Sequence, residues 1–152
     1  MNLKKPIKDY VFVMVQLLIF VVYFLPIQLI TIELPEWLSH LGLFILWIGL
    51  LFGIVALLQL NNKLSPFPSP VAAGKLITNG AFRISRHPIY TALIFSGFGY
   101  AVYQSSVYKI LIAVLLLILF YFKSRYEEGL LSKKFSEYQN YKKRTRRFIG
   151  FP

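Results

Sequence analysis

A basic cluster of Arg83, Arg86 and His87 stands directly before an apolar segment in the second half of the chain. Pro88 follows the cluster and suits the first turn of a helix, where a missing N–H costs nothing. A helix N-terminus presents unpaired N–H groups to an anion, and arginine can bind a carboxylate or a phosphate through two parallel hydrogen bonds. The cluster therefore predicts a site for an anionic group. The alternative is that these cations anchor the helix against anionic lipid headgroups.

The segment after Pro88 places Tyr90 one helical turn beyond His87 and carries a G-x-G at Gly97 and Gly99. Because glycine has no side chain, this part of the helix would let a flat ligand approach the backbone closely. Small residues in membrane helices also mark the places where two helices pack together. Both interpretations of the glycines stay open.

Two adjacent acids, Glu127 and Glu128, follow the last apolar run of the chain. They suit an amine or the hydroxyls of a ribose as partners, and the alternative is an ion pair with Arg86 or another nearby cation. Tyr138 and Arg147 lie further along the tail, where they either cover the site or anchor the chain at the membrane interface. The chain has no cysteine and two histidines, so no metal cluster is predicted.

Membrane-spanning helices must position these residues. The 152-residue chain is 57% hydrophobic and 17% aromatic, which exceeds the usual content of a soluble domain. A crossing takes about 20 residues. We therefore predict a single domain, residues 1–152, built as an all-α bundle with an amphipathic helix at its C-terminal end on the cytoplasmic surface. Its four predicted spans are 10–30, 38–60, 89–103 and 107–122.

The charge distribution predicts how this bundle lies in the membrane. The net charge of +11 is concentrated beside the apolar runs, which indicates membrane flanks rather than a nucleic-acid partner. Of 17 lysines and arginines, 16 lie in the N-terminal segment, in the loop Asn61–Arg86 or after residue 122, and only Lys109 lies elsewhere. The first loop instead carries Glu33 and Glu36. Positive charge favours the cytoplasmic side, so both termini and the site are predicted there.

Two segments resemble the signatures of a known enzyme family. Residues 80–90 read G-A-F-R-I-S-R-H-P-I-Y, which is similar to the G-P-Y-R-x-x-R-H-P-x-Y of the isoprenylcysteine carboxyl methyltransferase and phospholipid methyltransferase family. Residues 127–141 read E-E-G-L-L-S-K-K-F-S-E-Y-Q-N-Y, which resembles the second signature, E-E-x-L-L-x-x-x-F-G followed by two tyrosines. The resemblance covers residues 75–149, about half of the chain.

The resemblance implies an integral membrane enzyme that transfers a methyl group from S-adenosylmethionine to a lipophilic small molecule or a lipid-linked acceptor. A carboxylate is the preferred acceptor, and phospholipid N-methylation or a non-catalytic membrane scaffold are the alternatives. The two catalytic candidates are Arg147, which would meet the cofactor or the acceptor, and Glu128, which would take a proton from an amine acceptor. The residues that would bind the cofactor are Arg83, Arg86, His87, Pro88, Tyr90, Gly97, Gly99, Glu127, Glu128 and Tyr138.

Overall fold

The computed structural model describes residues 6–27, 30, 33–60, 65, 67–69 and 75–150. Within these ranges the chain is helical and contains no strand, and its one β-bridge pairs Ser85 with Arg146. The helices are α1 (Ile7–Phe24), α2 (Glu36–Leu60), α3 (Ala81–Ile84), α4 (Pro88–Tyr103), α5 (Val107–Lys134) and α6 (Tyr138–Arg144).

Three of the described helices, α1, α2 and α5, are long and apolar enough to cross a membrane. The chain is therefore an all-helical, multi-pass membrane protein, as predicted. The third predicted span corresponds to α4, which has 16 residues. Its length is about 24 Å, less than the roughly 30 Å of a bilayer core. The predicted count of four spans is therefore not confirmed by helix length.

One helix ends earlier than predicted. α1 ends at Phe24 rather than near residue 30, because Leu25 takes an extended conformation, φ −62° and ψ 139°, which a following proline favours. The helix of the fourth predicted span continues beyond residue 122, as the amphipathic pattern after that span predicts, and it runs through Gly129 to Lys134. The predicted amphipathic helix is therefore the end of α5 together with the short α6. As a result, both adjacent glutamates stand on a long continuous helix.

Small residues bring α2 and α4 into close contact. A Cβ atom added to Gly99 would lie 2.5 Å from the backbone nitrogen of Leu46, and one added to Gly49 would lie 2.6 Å from Oγ of Ser96. The contacts run antiparallel, since Gly42 near the start of α2 meets the end of α4. The buried residues of α2 are Gly42, Gly49, Gly53 and Ala56.

Polar side chains tie α1 to α4 and α5. The Tyr23 hydroxyl donates to the carbonyl of Gly97 at 2.7 Å, and Nζ of Lys109 donates to the carbonyl of Tyr23 at 3.2 Å. These bonds lie near the end of α1 and the start of α5. At the opposite end of the bundle, the start of α4 meets the end of α5 and the tail that follows α6.

Candidate functional site

The tail pairs with the segment that precedes α4. The backbone nitrogens of Arg86 and His87 donate to the carbonyl oxygens of Arg146 and Arg147, at 2.8 and 3.2 Å. The Ser85 hydroxyl donates to the same Arg147 carbonyl at 2.7 Å. α4 begins with a proline in its first turn, as predicted, so the tail binds the backbone groups just before the helix. The start of α4 and the tail therefore form one unit.

A buried ion-pair cluster surrounds Glu128, which is 2% exposed near the end of α5. Its Oε1 accepts from Nε of Arg86 at 2.9 Å and from Nε of Arg147 at 3.1 Å. Its Oε2 accepts from Nη2 of Arg147 at 3.0 Å and lies 3.4 Å from Nζ of Lys142. The bond to Glu128 raises the pKa of Arg147. This one carboxylate therefore fastens the tail to α5 through charge-assisted hydrogen bonds.

Arg86 joins three parts of the chain. Besides its bond to Glu128, its Nη1 donates to the carbonyl oxygen of Lys142 at 3.1 Å and to that of Thr145. A planar guanidinium can reach a carboxylate and two carbonyl groups at once, which a lysine ammonium on a flexible stem cannot do in the same geometry. Glu128 and the tail thus hold the arginine that was predicted to bind an anion. This arrangement is the ion pair given above as the alternative for the two glutamates.

Glu127 faces a different set of groups. Its Oε2 accepts from the Tyr90 hydroxyl at 3.0 Å and lies 3.6 Å from Nδ1 of His87. The rings of His87 and Tyr90 stack with an interplanar angle of 3°, and Tyr90 stacks on Phe120 at 7°. The Glu127 side chain is 25% exposed, against 3% for that of Glu128. Of the two acids, Glu127 is therefore the one that a ligand can reach.

Two buried polar atoms at the site have no hydrogen-bond partner in the part of the chain that the structure describes. They are Nε2 of His87, which lies 3.4 Å from Oε1 of Glu128, and the hydroxyl of Tyr138. Burial raises the pKa of Tyr138, so its hydroxyl keeps its proton and can donate. Buried polar atoms are nearly always paired in folded proteins, so an unpaired one at a site indicates a place for a ligand atom.

A cavity of about 430 Å³ opens beside these groups. Its volume lies within the range of about 300–1,000 Å³ that is typical of small-molecule sites. Apolar residues such as Leu60 and Leu93 complete its wall. One cavity therefore receives side chains from the start of α4 and from the end of α5. The polar residues that line it include Gln16, Arg86, His87, Tyr90, Lys123 and Glu127.

Five of the ten predicted cofactor-binding residues line this cavity. Arg83 does not join them, because it is exposed on α3 and lines a separate cavity with Glu137 and Tyr141. The predicted residues that line the main cavity are Arg86, His87, Pro88, Tyr90 and Glu127.

The structure places the two catalytic candidates, Glu128 and Arg147, outside the main cavity. The two side chains are bound to each other through two hydrogen bonds in the ion-pair cluster. Neither belongs to the described lining of the main cavity. Their position therefore suits them to hold the tail in place rather than to touch a ligand.

Gly97 and Gly99 lie outside the described lining of the main cavity. Gly99 lies against the backbone of α2, and the Gly97 carbonyl accepts the hydroxyl of Tyr23. Ten residues, about 15 Å of helix, separate His87 from Gly97. The close contact at Gly99 supports the packing alternative for that glycine.

Two residues without a predicted site role, Lys123 and Gln16, also line the main cavity. Lys123 is 1% exposed, and its Nζ donates to Oε1 of Gln16 at 2.6 Å. The sequence does contain a signal for both residues, since each is strongly polar and lies beside or inside an apolar run. In the described ranges, no three histidine, aspartate or glutamate side chains come together in a way that could hold a metal ion.

A family model described as "Protein of unknown function (DUF1295)" matches residues 2–145. The match extends from before α1 to the end of α6 and includes both groups of residues that line the cavity. No curated protein matches the chain.

Proposed function

The chain belongs to the DUF1295 family, and from its site we propose that it is a membrane methyltransferase, which transfers a methyl group from S-adenosylmethionine to a lipophilic acceptor. One observation carries the proposal. Arg86, His87 and Tyr90 from the start of α4 meet Glu127 from the end of α5 on the wall of a single cavity. The two sequence signatures that resemble methyltransferases supply these same residues.

The groups at the cavity fit the polar parts of S-adenosylmethionine. Glu127 is the exposed acid and suits the ammonium group or a ribose hydroxyl as a partner. Arg86 lines the same wall, and a bound carboxylate would share its positive charge with Glu128. Two buried polar atoms at the site have no hydrogen-bond partner in the described chain and are open to a bound molecule. They are Nε2 of His87, on the cavity wall, and the hydroxyl of Tyr138, which is not part of the described lining. The stacked rings of His87 and Tyr90 offer a flat surface beside them.

The chemistry of the site favours an acceptor that is already ionised. S-adenosylmethionine supplies a methyl group on a positively charged sulfur, and the residues of the protein need only position an acceptor in line with it. An amine acceptor must also lose a proton to a base. Glu128 is a poor base, because Arg86 and Arg147 both bind its carboxylate. These bonds argue against Glu128 as the base in a phospholipid N-methylation.

We also propose that α4 is a fourth membrane crossing and that both termini lie in the cytoplasm. Support for the crossing comes from the contacts of α4 with α2, which run from Gly42 near the start of α2 to Gly53. A helix that lies along a spanning helix over this length lies at the same depth in the membrane. The concentration of lysine and arginine on one side supports the orientation.

The test is calorimetric titration of the purified protein in nanodiscs with S-adenosylmethionine. We expect binding by the wild type, and Glu127→Gln should weaken it by about tenfold, because a buried charge-assisted hydrogen bond contributes about 1.5–3 kcal/mol. Glu137→Gln is the matched control, since Glu137 is an exposed acid on the separate cavity. It should change the affinity by less than about twofold. A scaffold would show no binding, or equal binding in all three proteins.

The acceptor class needs a separate measurement. Incubation of the protein with membrane lipid extract and methyl-labelled S-adenosylmethionine should give label that mild base releases as methanol, as a methyl ester does. Label that resists base would instead identify N-methylation and contradict the carboxylate assignment.

A further inference from the structure

Lys123 places a cation within the apolar length of α5, on the wall of the main cavity. Its side chain is almost fully buried, its Nζ donates to the Gln16 amide at 2.6 Å, and the same atom lies 5.3 Å from the centre of the Tyr90 ring. A charged group at such a position is costly in a membrane helix and usually marks the path or site of a charged ligand. Lys123 therefore needs a reason beyond packing.

The charged groups around Lys123 have further partners of their own. Glu127, one turn further along α5, and Asp9 of α1 both act on Lys123 electrostatically. Glu127 also accepts from Tyr90, and Asp9 also accepts from the backbone nitrogen of Ser69 at 3.2 Å. Gln16 and Lys123 form a hydrogen-bonded polar pair on the wall of the main cavity.

A second cavity of about 340 Å³ lies beside the first, and Leu93 lines both. Its walls are almost entirely apolar and include Phe20, Leu50 and Leu116. The two linings follow one another along the same helices. Phe20 stands one turn after Gln16 on α1, and Leu116 stands two turns before Lys123 on α5. The first cavity therefore carries the polar groups, and the neighbouring second cavity is apolar.

Resting on the proposed function, we propose that Lys123 and Gln16 bind the negatively charged head of the acceptor and that its hydrocarbon chain lies in the apolar cavity. The acceptor is a long-chain carboxylate, and Lys123 selects its charge. A carboxylate oxygen of the acceptor donates an electron pair to the methyl carbon as the carbon–sulfur bond breaks, so the products are a methyl ester and a neutral thioether. No proton is transferred in this step.

The test of the charge selection uses palmitate and hexadecanol, which share a chain and differ in charge. Binding of each labelled compound is measured on the full-length protein in phosphatidylcholine nanodiscs. We expect the wild type to prefer palmitate by about tenfold or more, which corresponds to about 1.4 kcal/mol. Lys123→Met should remove this preference and still bind hexadecanol, which shows that the variant is folded. Lys123→Arg should restore most of it.

Two outcomes separate this inference from the proposed function. If Lys123→Met keeps the full preference for palmitate while the wild type binds S-adenosylmethionine, the role of Lys123 is overturned and the methyltransferase assignment stands. If the wild type selects palmitate but does not bind S-adenosylmethionine, the methyltransferase assignment is overturned, and with it the acceptor role of the site.

The position of the chain is tested by filling the apolar cavity. Leu50→Trp should shift the preference from palmitate towards decanoate by about tenfold, because a larger side chain leaves room only for a shorter chain. Leu58→Trp is the control on the same helix, since Leu58 is 74% exposed and is not among the described residues that line the cavity. The same chain-length preference in both variants would overturn the placement.

Discussion

Glu127 and Glu128 are adjacent in the sequence and serve different ends of the site. Successive residues on a helix point about 100° apart, so one acid can face the cavity while the other faces the tail. Glu128 holds Arg86 and Arg147 in a buried cluster, whereas Glu127 remains partly exposed beside His87 and Tyr90. Helix geometry alone therefore gives one of two adjacent glutamates a structural role and the other a binding role.

Tyr138 and Tyr141 provide a matched pair for separating binding from stability. The Tyr141 hydroxyl donates to the carbonyl of Phe82, whereas the buried Tyr138 hydroxyl has no partner in the described chain. Tyr141→Phe should therefore lower the free energy of unfolding by about 1 kcal/mol. Tyr138→Phe should leave stability unchanged or slightly higher, because it removes an unpaired buried hydroxyl.

The same two variants should also differ in their affinity for S-adenosylmethionine. Tyr138→Phe should weaken binding of S-adenosylmethionine by about threefold to tenfold, since a ligand would lose one hydrogen bond. Calorimetry for affinity and thermal unfolding for stability give the two readouts. A Tyr138→Phe protein that is destabilised and binds normally would assign the hydroxyl to the fold.

Much of the residue-level arrangement was predictable from two short segments. The residue types around Arg86, His87, Tyr90 and the two glutamates indicated that the groups would converge. The separate tasks of the two acids were not predictable, because they depend on which side chain faces the tail. The burial of Lys123 was not predictable from its place beside an apolar run, because it depends on the position of Gln16, more than 100 residues away in the sequence.

Helix α4 depends on α2 because its surface is closely fitted to the other backbone. A Cβ at Gly99 would lie 2.5 Å from a backbone nitrogen of α2 and 2.7 Å from the carbonyl oxygen of Gly42. At Gly97 the nearest atom to a new Cβ is the Cβ of Ala113, at 3.8 Å, an ordinary contact. The two glycines of one G-x-G therefore have different tolerances for a side chain.

Alanine substitution of these two glycines should have opposite effects on stability. Gly99→Ala should destabilise the protein by about 1–3 kcal/mol, because a backbone must move to admit the methyl group. Gly97→Ala should be neutral or stabilise by up to about 1 kcal/mol, because alanine favours the helix more than glycine does. Thermal unfolding in detergent measures both. Equal losses would mean that α4 is not held by close packing at Gly99.

The apolar runs predicted three long helices and the start of α4, since hydropathy and Pro88 are local signals. The ends of the helices were harder to predict. Leu25 ends α1 early because of the proline after it, whereas the apolar run continues to residue 30. The continuation of α5 beyond residue 122 was predictable from the amphipathic pattern, whereas the contacts of Glu128 with the tail were not.

Whether the whole molecule crosses the membrane an odd or an even number of times depends on α4. Three crossings would place the two termini on opposite sides of the membrane, and four would place them on the same side. The distribution of positive charge favours the same side. The absence of cysteine from the chain makes this question directly accessible to single-cysteine labelling.

We expect the N-terminal and tail positions to be labelled from one side and the first loop from the other. Lys8→Cys and Lys143→Cys should react with a membrane-impermeant maleimide in inverted membrane vesicles, and Glu36→Cys should react only in right-side-out vesicles. All three positions are exposed. Reaction of Lys8→Cys and Lys143→Cys from opposite sides would contradict the four-span topology.

The pairing of Arg86 and His87 with the carbonyl groups of Arg146 and Arg147 has a consequence for biosynthesis. The ribosome makes α4 and α5 before it makes the residues that bind them, so both helices must enter the membrane while Glu128 still lacks Arg147. A premature stop codon after α6 would leave this acid permanently without that partner. Such a shortened chain should be recognised and degraded by the quality-control proteases of the cell.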